Sequence, residues 1–223
     1  MHEAGNIDLY YTSPAGRRAA DILATALAHE VRLSRTARLL GLGHVAPLLT
    51  GLDPGRVERL ALIQPSGKAW PPGDGCCVAL AEALPFADAL FDQALLVHAL
   101  EHAPRPQKLL RELWRVLAPG GEIILVVPNR AGLWVHFERT PWGDGRPWGL
   151  SQLDRLLTDA MFERRSHRTL FAAPPLAGLG WLNGAMLRAL PGMGGLHLLR
   201  AVKTDGFNPA MVGRSGKMRL AQA

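Results

Sequence analysis

The sequence predicts an open α/β fold, a mostly parallel sheet with helices on both faces. Three observations carry this reading. Residues 79–129 read as strand, amphipathic helix and strand, the βαβ unit of a parallel sheet. Further short apolar runs recur at 37–40, 59–63 and 76–80, each followed by Gly or Pro or a turn. Segments at helical spacing alternate with them, the pattern of a layered α/β domain.

Taken in order, residues 8–31 are expected to form a helix lying across the sheet. Ser13 suits an N-cap and Pro14 a first helical position, with Ile22, Leu23, Ala26 and Leu27 at helical spacing. Ala37–Leu40 is a strand running into Gly41-Leu42-Gly43, read as a strand-to-helix loop. Val45–Leu52 follows as a short helix with Pro47 in its first turn, then a strand at Arg59–Ile63 ending at Gln64-Pro65. Residues 66–75, rich in Gly and Pro, are a loop, and Cys76–Leu80 is a third strand.

The central unit then begins with a turn at Leu84-Pro85-Phe86-Ala87-Asp88 and a buried strand at Phe91–Val97. Over 105–117, Leu109, Leu110, Leu113, Trp114 and Leu117 form one apolar stripe, so Trp114 is expected to pack on the sheet. Pro119-Gly120-Gly121 is read as ending this helix before a strand at Glu122–Val127. Residues 128–149 form a long loop containing Trp134, Trp142 and Trp148. A helix at 151–159, a strand at 166–171, an apolar helix at 176–190 and a last strand at 197–203 complete the expected single domain, 1–203. The tail from 204 is expected to fray.

Composition narrows the function classes. Hydrophobic residues make up 48% and charged residues 20% of the 223 residues, as in a folded globular chain. The net charge is +6, but the arginines are scattered and no basic run alternates with aromatics, so nucleic acid is not the expected partner. The only two cysteines, Cys76 and Cys77, are adjacent and make no disulfide framework. The first residues lack the pattern of a signal peptide and no apolar run reaches spanning length, so a cytoplasmic location is expected.

In such sheets ligands bind at the carboxyl ends of the strands. That rule places Gly41–Gly43, Gln64, the turn in the 80s, His98 and Asn129 on one rim.

The stretch LPFADALFDQALLVHALEH, followed by LLRELWRVLAPGGEIILVVPN, resembles class I S-adenosylmethionine-dependent methyltransferases, and within them the type 11-like group. The match is strong over 81–129 and weaker from 37 to 203. It implies a Rossmann-like, doubly wound, mostly parallel seven-stranded sheet with an antiparallel last strand. It implies S-adenosyl-L-methionine as cofactor and a small-molecule or lipid-like acceptor. Gly41, Leu42 and Gly43 would lie beneath the methionine part, Gln64 at the ribose, Ala81 and Glu82 beside the adenine, and Val97 and His98 next to the cofactor. Where the family carries acids, this sequence has Leu39, Gln64 and Leu80, and its third motif glycine is Val45. Two readings follow, an active methyltransferase and a catalytically inactive binding or regulatory protein on the same fold.

Methyl transfer asks the protein mainly to position two reactants, and needs a base only when the acceptor loses a proton. His98, His102 and His136 are the candidate bases, with His98 equally readable as a cap on its strand. His98-x-x-Glu101-His102 spells a zinc-protease signature, but that chemistry needs a helix, and here the first histidine closes a strand with Pro104 soon after. No metal is expected. Asn129, Trp134, His136 and Trp142 are the candidate acceptor-side residues, on a loop that could serve as a lid.

Overall fold

The computed structural model describes residues 7–49, 56–65, 76–132, 143, 145–171 and 192–204. The elements in order are α1 (Ile7–Thr12), α2 (Pro14–Ala28), β1 (Arg38–Gly43), β2 (Arg59–Pro65), β3 (Cys76–Ala79), β4 (Phe91–Val97), α3 (Pro106–Val116), β5 (Leu117–Pro128), α4 (Leu150–Asp159), β6 (Phe162–Leu170) and β7 (Leu196–Lys203). The strands form one seven-stranded sheet in the order β3-β2-β1-β4-β5-β7-β6. The β1–β2, β1–β4, β2–β3 and β4–β5 pairs are parallel, and β7 runs antiparallel to both β5 and β6. This is the expected seven-stranded sheet with its antiparallel last strand.

Both faces of the sheet are covered, which is why its central strands are apolar at nearly every position. Leu40, Leu42, Ala94, Leu96, Ile123 and Leu125 point to one face, under Leu109, Leu110, Leu113 and Val116 of α3 and Leu153, Leu156 and Leu157 of α4. The alternate residues, Leu39, Leu95, Val97, Ile124 and Val126, pack under Ala19, Leu23, Ala26 and Leu27 of α2. Each fully buried leucine in these layers contributes about 1.5–3 kcal/mol of burial.

Several boundaries differ from the sequence reading. Gly41, Leu42 and Gly43 are not a loop. They are the last three residues of β1, paired with β4 as Gly41↔Leu95, Leu42↔Leu96 and Gly43↔Val97. The helix expected from Val45 is a single 3-10 turn over Ala46–Leu48. The first helix is two: α1 closes at Thr12, and Ser13 caps α2 by accepting from the Gly16 N–H at 3.0 Å. Gly16 is required there, because a Cβ would lie 1.9 Å from the Tyr10 carbonyl oxygen, and the close approach sets where Tyr10 and Tyr11 sit. Pro119-Gly120-Gly121 lies inside β5, where a register shift between Phe91↔Leu117 and Gln93↔Glu122 forms a bulge that accommodates the proline. β6 absorbs the basic residues Arg164 and Arg165 because both are exposed on this edge strand. The helix expected at 176–190 lies outside the described residues.

The turn at 84–88 is fastened to α3 by one arginine. Arg115 donates to the Leu84 carbonyl (3.1 Å) and the Phe86 carbonyl (2.8 Å), and pairs with Glu112 (2.6 Å) and Asp88 (2.5 Å). Glu112 in turn accepts the Leu84 N–H at 2.8 Å. The guanidinium holds the Glu112 carboxyl below its ordinary 4.5, chiefly through the hydrogen bond. The residues carrying most of the family resemblance are therefore a clamp that fixes the segment after β3.

At the other end of β1, Gly43 has φ +83°, and a Cβ there would lie 2.1 Å from the Val97 carbonyl oxygen. Gly43→Ala is expected to cost about 3 kcal/mol, from left-handed strain plus the backbone clash, read as a lower urea midpoint at unchanged m-value. Arg115→Met should cost about 1–2 kcal/mol after allowance for the solvent that reaches this pair. A carboxyl depressed in the folded state stabilises above its unfolded pKa, and that contribution is lost as pH falls through the folded value. The wild-type advantage over Arg115→Met should thus shrink below pH 4.5, as followed by urea titrations at a series of pH values.

Candidate functional site

A cavity of about 470 Å³ opens at the carboxyl ends of β2, β3 and β4. Its polar walls are Gln64 from the end of β2, Glu82 from the segment after β3, His98 at the end of β4, and His102, Arg105 and Lys108 from the approach to α3. Ala81 also lines it. Four of the sequence-predicted cofactor residues, Gln64, Ala81, Glu82 and His98, are thus brought to one space.

The others are placed differently. Gly41 is buried, and Leu42 and Val97 are fully buried core residues of β1 and β4. Gly43 ends β1 next to Val97 and Ala99. Asn129 is 1% exposed at the end of β5. Its amide nitrogen donates to the Gly192 and Gly194 carbonyls, both at 2.7 Å, and its oxygen accepts the Ala131 N–H, so it fastens chain segments together. Trp134, His136 and Trp142 lie outside the described residues. Trp148 is buried in the core and pairs with Asn129 through the backbone.

His98 is the most constrained residue of the site. It has φ +53°, left-handed for a non-glycine residue, at the point where the chain leaves β4. Its ring is buried between two partners: Nδ1 lies 2.9 Å from Glu101 Oε1, and Nε2 lies 2.9 Å from the Tyr11 hydroxyl. Tyr11 stacks on His44, with centroids 4.5 Å apart and planes 17° apart. Sequence reasoning missed this group. Nothing in the segment around Tyr11 announces a contact with a residue 87 positions on, whereas the three-residue His98–Glu101 spacing could have suggested a hydrogen bond.

Two carboxylate oxygens at the site are buried without a hydrogen-bond partner, Glu82 Oε1 and Glu101 Oε2. The other oxygen of Glu82 meets Arg105 at 2.5 Å. Buried polar atoms of this kind are uncommon and mark places where a ligand group would be welcome. Among the described residues no cluster of three metal-ligating side chains occurs.

Burial, and the positive charge that His98 can carry, push the pKa of His44 down to about 3; burial and His167 push His197 down to about 4. A histidine whose folded pKa is depressed binds fewer protons than the unfolded chain, so stability declines as pH falls below 6.5 and keeps declining toward those values. His44→Phe should flatten the stability–pH curve between pH 6.5 and 4, measured by urea unfolding across that range; a curve as steep as the wild type would contradict the assignment.

Residues 42–125 match the methyltransferase domain family. An uncharacterised methyltransferase of Mycobacterium marinum is 32% identical over 163 residues, 68% of this chain and 57% of that protein. A ubiquinone/menaquinone biosynthesis C-methyltransferase of Roseobacter denitrificans is 36% identical over 104 residues, 44% of this chain and 39% of that protein. The chain spans 44% to 63% of the length of the mycobacterial relatives it matches. A crystal structure of a methyltransferase from Thermotoga maritima that depends on S-adenosylmethionine superimposes with a TM-score of 0.64 at 19% identity, covering 88% of this chain and 94% of that one, a likeness of fold. Over residues 42–125 and in its fold, the chain is similar to methyltransferases that depend on S-adenosylmethionine.

Proposed function

We propose that the cavity holds S-adenosyl-L-methionine and that the protein transfers its methyl group to a small-molecule or lipid-like acceptor in the cytoplasm. The observation that carries this reading is the convergence of Gln64, Ala81, Glu82 and His98 on one 470 Å³ cavity at the carboxyl ends of β2, β3 and β4, in a chain of this likeness. The residues present fit the group. Gln64 is 5% exposed at the end of β2, and its amide can both donate to and accept from ribose hydroxyls. Glu82 brings an unpartnered, buried carboxylate oxygen, a natural acceptor for an amine or hydroxyl donor. Gly43 lets the ends of β1 and β4 approach closely enough to close the inner wall behind His98.

The cofactor, when bound, supplies a methyl group activated by a sulfonium. The protein's own task is to orient it and to exclude water. Gln64 and Glu82 fix the adenosine end, while the Arg115 clamp keeps the 81–86 segment from drifting away from it. We place the acceptor at the 128–149 segment. Asn129 roots that segment on β5, and Trp134, His136 and Trp142 are the side chains proposed to meet the acceptor. An apolar acceptor suits three aromatic side chains, and the Roseobacter relative is named for quinone chemistry. No helix among the described residues is long and apolar enough to cross a membrane.

Isothermal titration calorimetry with S-adenosylmethionine and S-adenosylhomocysteine tests the reading. Binding of both is expected, weakened on the order of tenfold by Gln64→Ala, the loss of one or two neutral hydrogen bonds. Gln64→Glu should tighten binding, since a carboxylate makes stronger bonds to ribose hydroxyls. No heat with either compound at millimolar concentration would contradict methyl transfer and favour the binding-module reading.

A further inference from the structure

The two edges of the sheet are built differently. β6, at one edge, carries Glu163, Arg164, Arg165 and Arg168 and a register shift between Arg164 and Ser166. Charges and irregularities of this kind keep an open edge from pairing with another chain. β3, at the other edge, has neither. Residues 76–80 read CCVAL, without a charge or a proline. Among the described residues β3 bonds to β2 alone, so its outer row of backbone N–H and C=O groups faces away from the sheet. Val78 is 62% and Leu80 63% exposed, against 36% to 40% for the other exposed large apolar side chains described. Leu80 also lines the cavity, whose wall is open on this side.

We propose that β3 is a dimer interface, at which a second copy of this chain adds its own β3 antiparallel across a two-fold axis. An axis normal to the sheet reverses the strand and keeps its faces. Placed at Val78, it sets residue 76 opposite residue 80 of the second copy, 77 opposite 79, and Val78 opposite its counterpart. That register pairs the whole of 76–80 with itself. Val78 and Leu80 from both copies then share one face, where each meets apolar neighbours in place of water. The occupant follows from charge. An uncharged strand meets itself with no like charges opposed, whereas self-pairing at β6 would bring Arg164, Arg165 and Arg168 against their counterparts. Away from the strand, two copies of net charge +6 repel, so the attraction is apolar contact and main-chain hydrogen bonding. Pairing over 76–80 makes a small interface, so the dimer is weak and forms as concentration rises. The second copy stands at the rim of the cavity and covers Leu80, so the outer side of the cavity is closed only in the dimer. The dimer rests on no reading of what the cavity binds.

Analytical ultracentrifugation of the full chain, from micromolar to near-millimolar protein, tests this. The mass is expected to rise toward twice that of the monomer, and to rise further as salt screens the +6 charges. Val78→Arg, at an exposed position, should hold the protein monomeric over the same range by opposing two arginines on the axis. In a Cys76→Ala, Cys77→Ala background, Val78→Cys should form a disulfide across the axis under mild oxidation, and Arg165→Cys on the opposite edge should not. In the same background, Leu80→Cys should be labelled by a maleimide several-fold more slowly at high protein concentration than at low. A wild type that stays monomeric throughout would overturn the proposal and leave this edge to a strand of another protein. A dimer that survives Val78→Arg, a dimer that salt dissolves, or a crosslink at Arg165→Cys equal to that at Val78→Cys would overturn it as well. Equal labelling of Leu80→Cys at both concentrations would refute closure of the cavity by the second copy. Should the cysteine-free background fail to fold, the wild type and Val78→Arg decide alone.

Discussion

The Val97 carbonyl accepts the His44 N–H at 2.8 Å across Gly43, and much of the site depends on that contact. It forms because residue 43 has no side chain and a left-handed φ. The contact draws the ends of β1 and β4 together, so His44 and His98 leave neighbouring strands with ring centroids 6.4 Å apart. Tyr11 then reaches both, stacking on one and hydrogen-bonding the other. A side chain at position 43 would push the strand ends apart and dissolve this group, while the rest of the sheet could still pair.

The outer wall of the cavity is held by a different kind of force. The 81–86 segment has few core contacts of its own, Leu84 being its one fully packed member. Charge-assisted hydrogen bonds, donated by Arg115 to its carbonyls and accepted by Glu112 from the Leu84 N–H, replace that missing burial. The inner wall therefore rests on backbone geometry and apolar packing, and the outer wall on an ion-pair clamp. Salt should act first on the outer wall, and acid first on the inner one, where burial holds His44 neutral.

The fold was largely legible in the sequence because it is set by features that are local or periodic. The apolar runs at 59–63 and 91–97 and the stripe on α3 come from a sheet buried on both faces, and Ser13-Pro14 from the helix start it caps. Where the reading failed, a local signal gave way to pairing. Gly41-Leu42-Gly43 reads as a loop, but two flanking strands hold it extended, and Pro119-Gly120-Gly121 reads as a helix stop when a bulge carries it into β5. The site was half legible. Gln64, Ala81, Glu82 and His98 could be placed by the rule that strand ends face ligands, and the cavity joins them. Tyr11 could not, because its role arises only when a helix from the start of the chain folds back over β4. Asn129 was singled out for its position at a strand end, and its side chain meets backbone groups at 192, 194 and 131 that no local pattern foretells.

The central claim is that this cavity is where the cofactor sits, and a crystal structure grown with millimolar S-adenosylhomocysteine tests it most directly. The account predicts the adenosine within hydrogen-bond distance of Gln64 and Glu82, with the sulfur facing His98. Density for the ligand elsewhere on the molecule, or none in the cavity at that concentration, would contradict it.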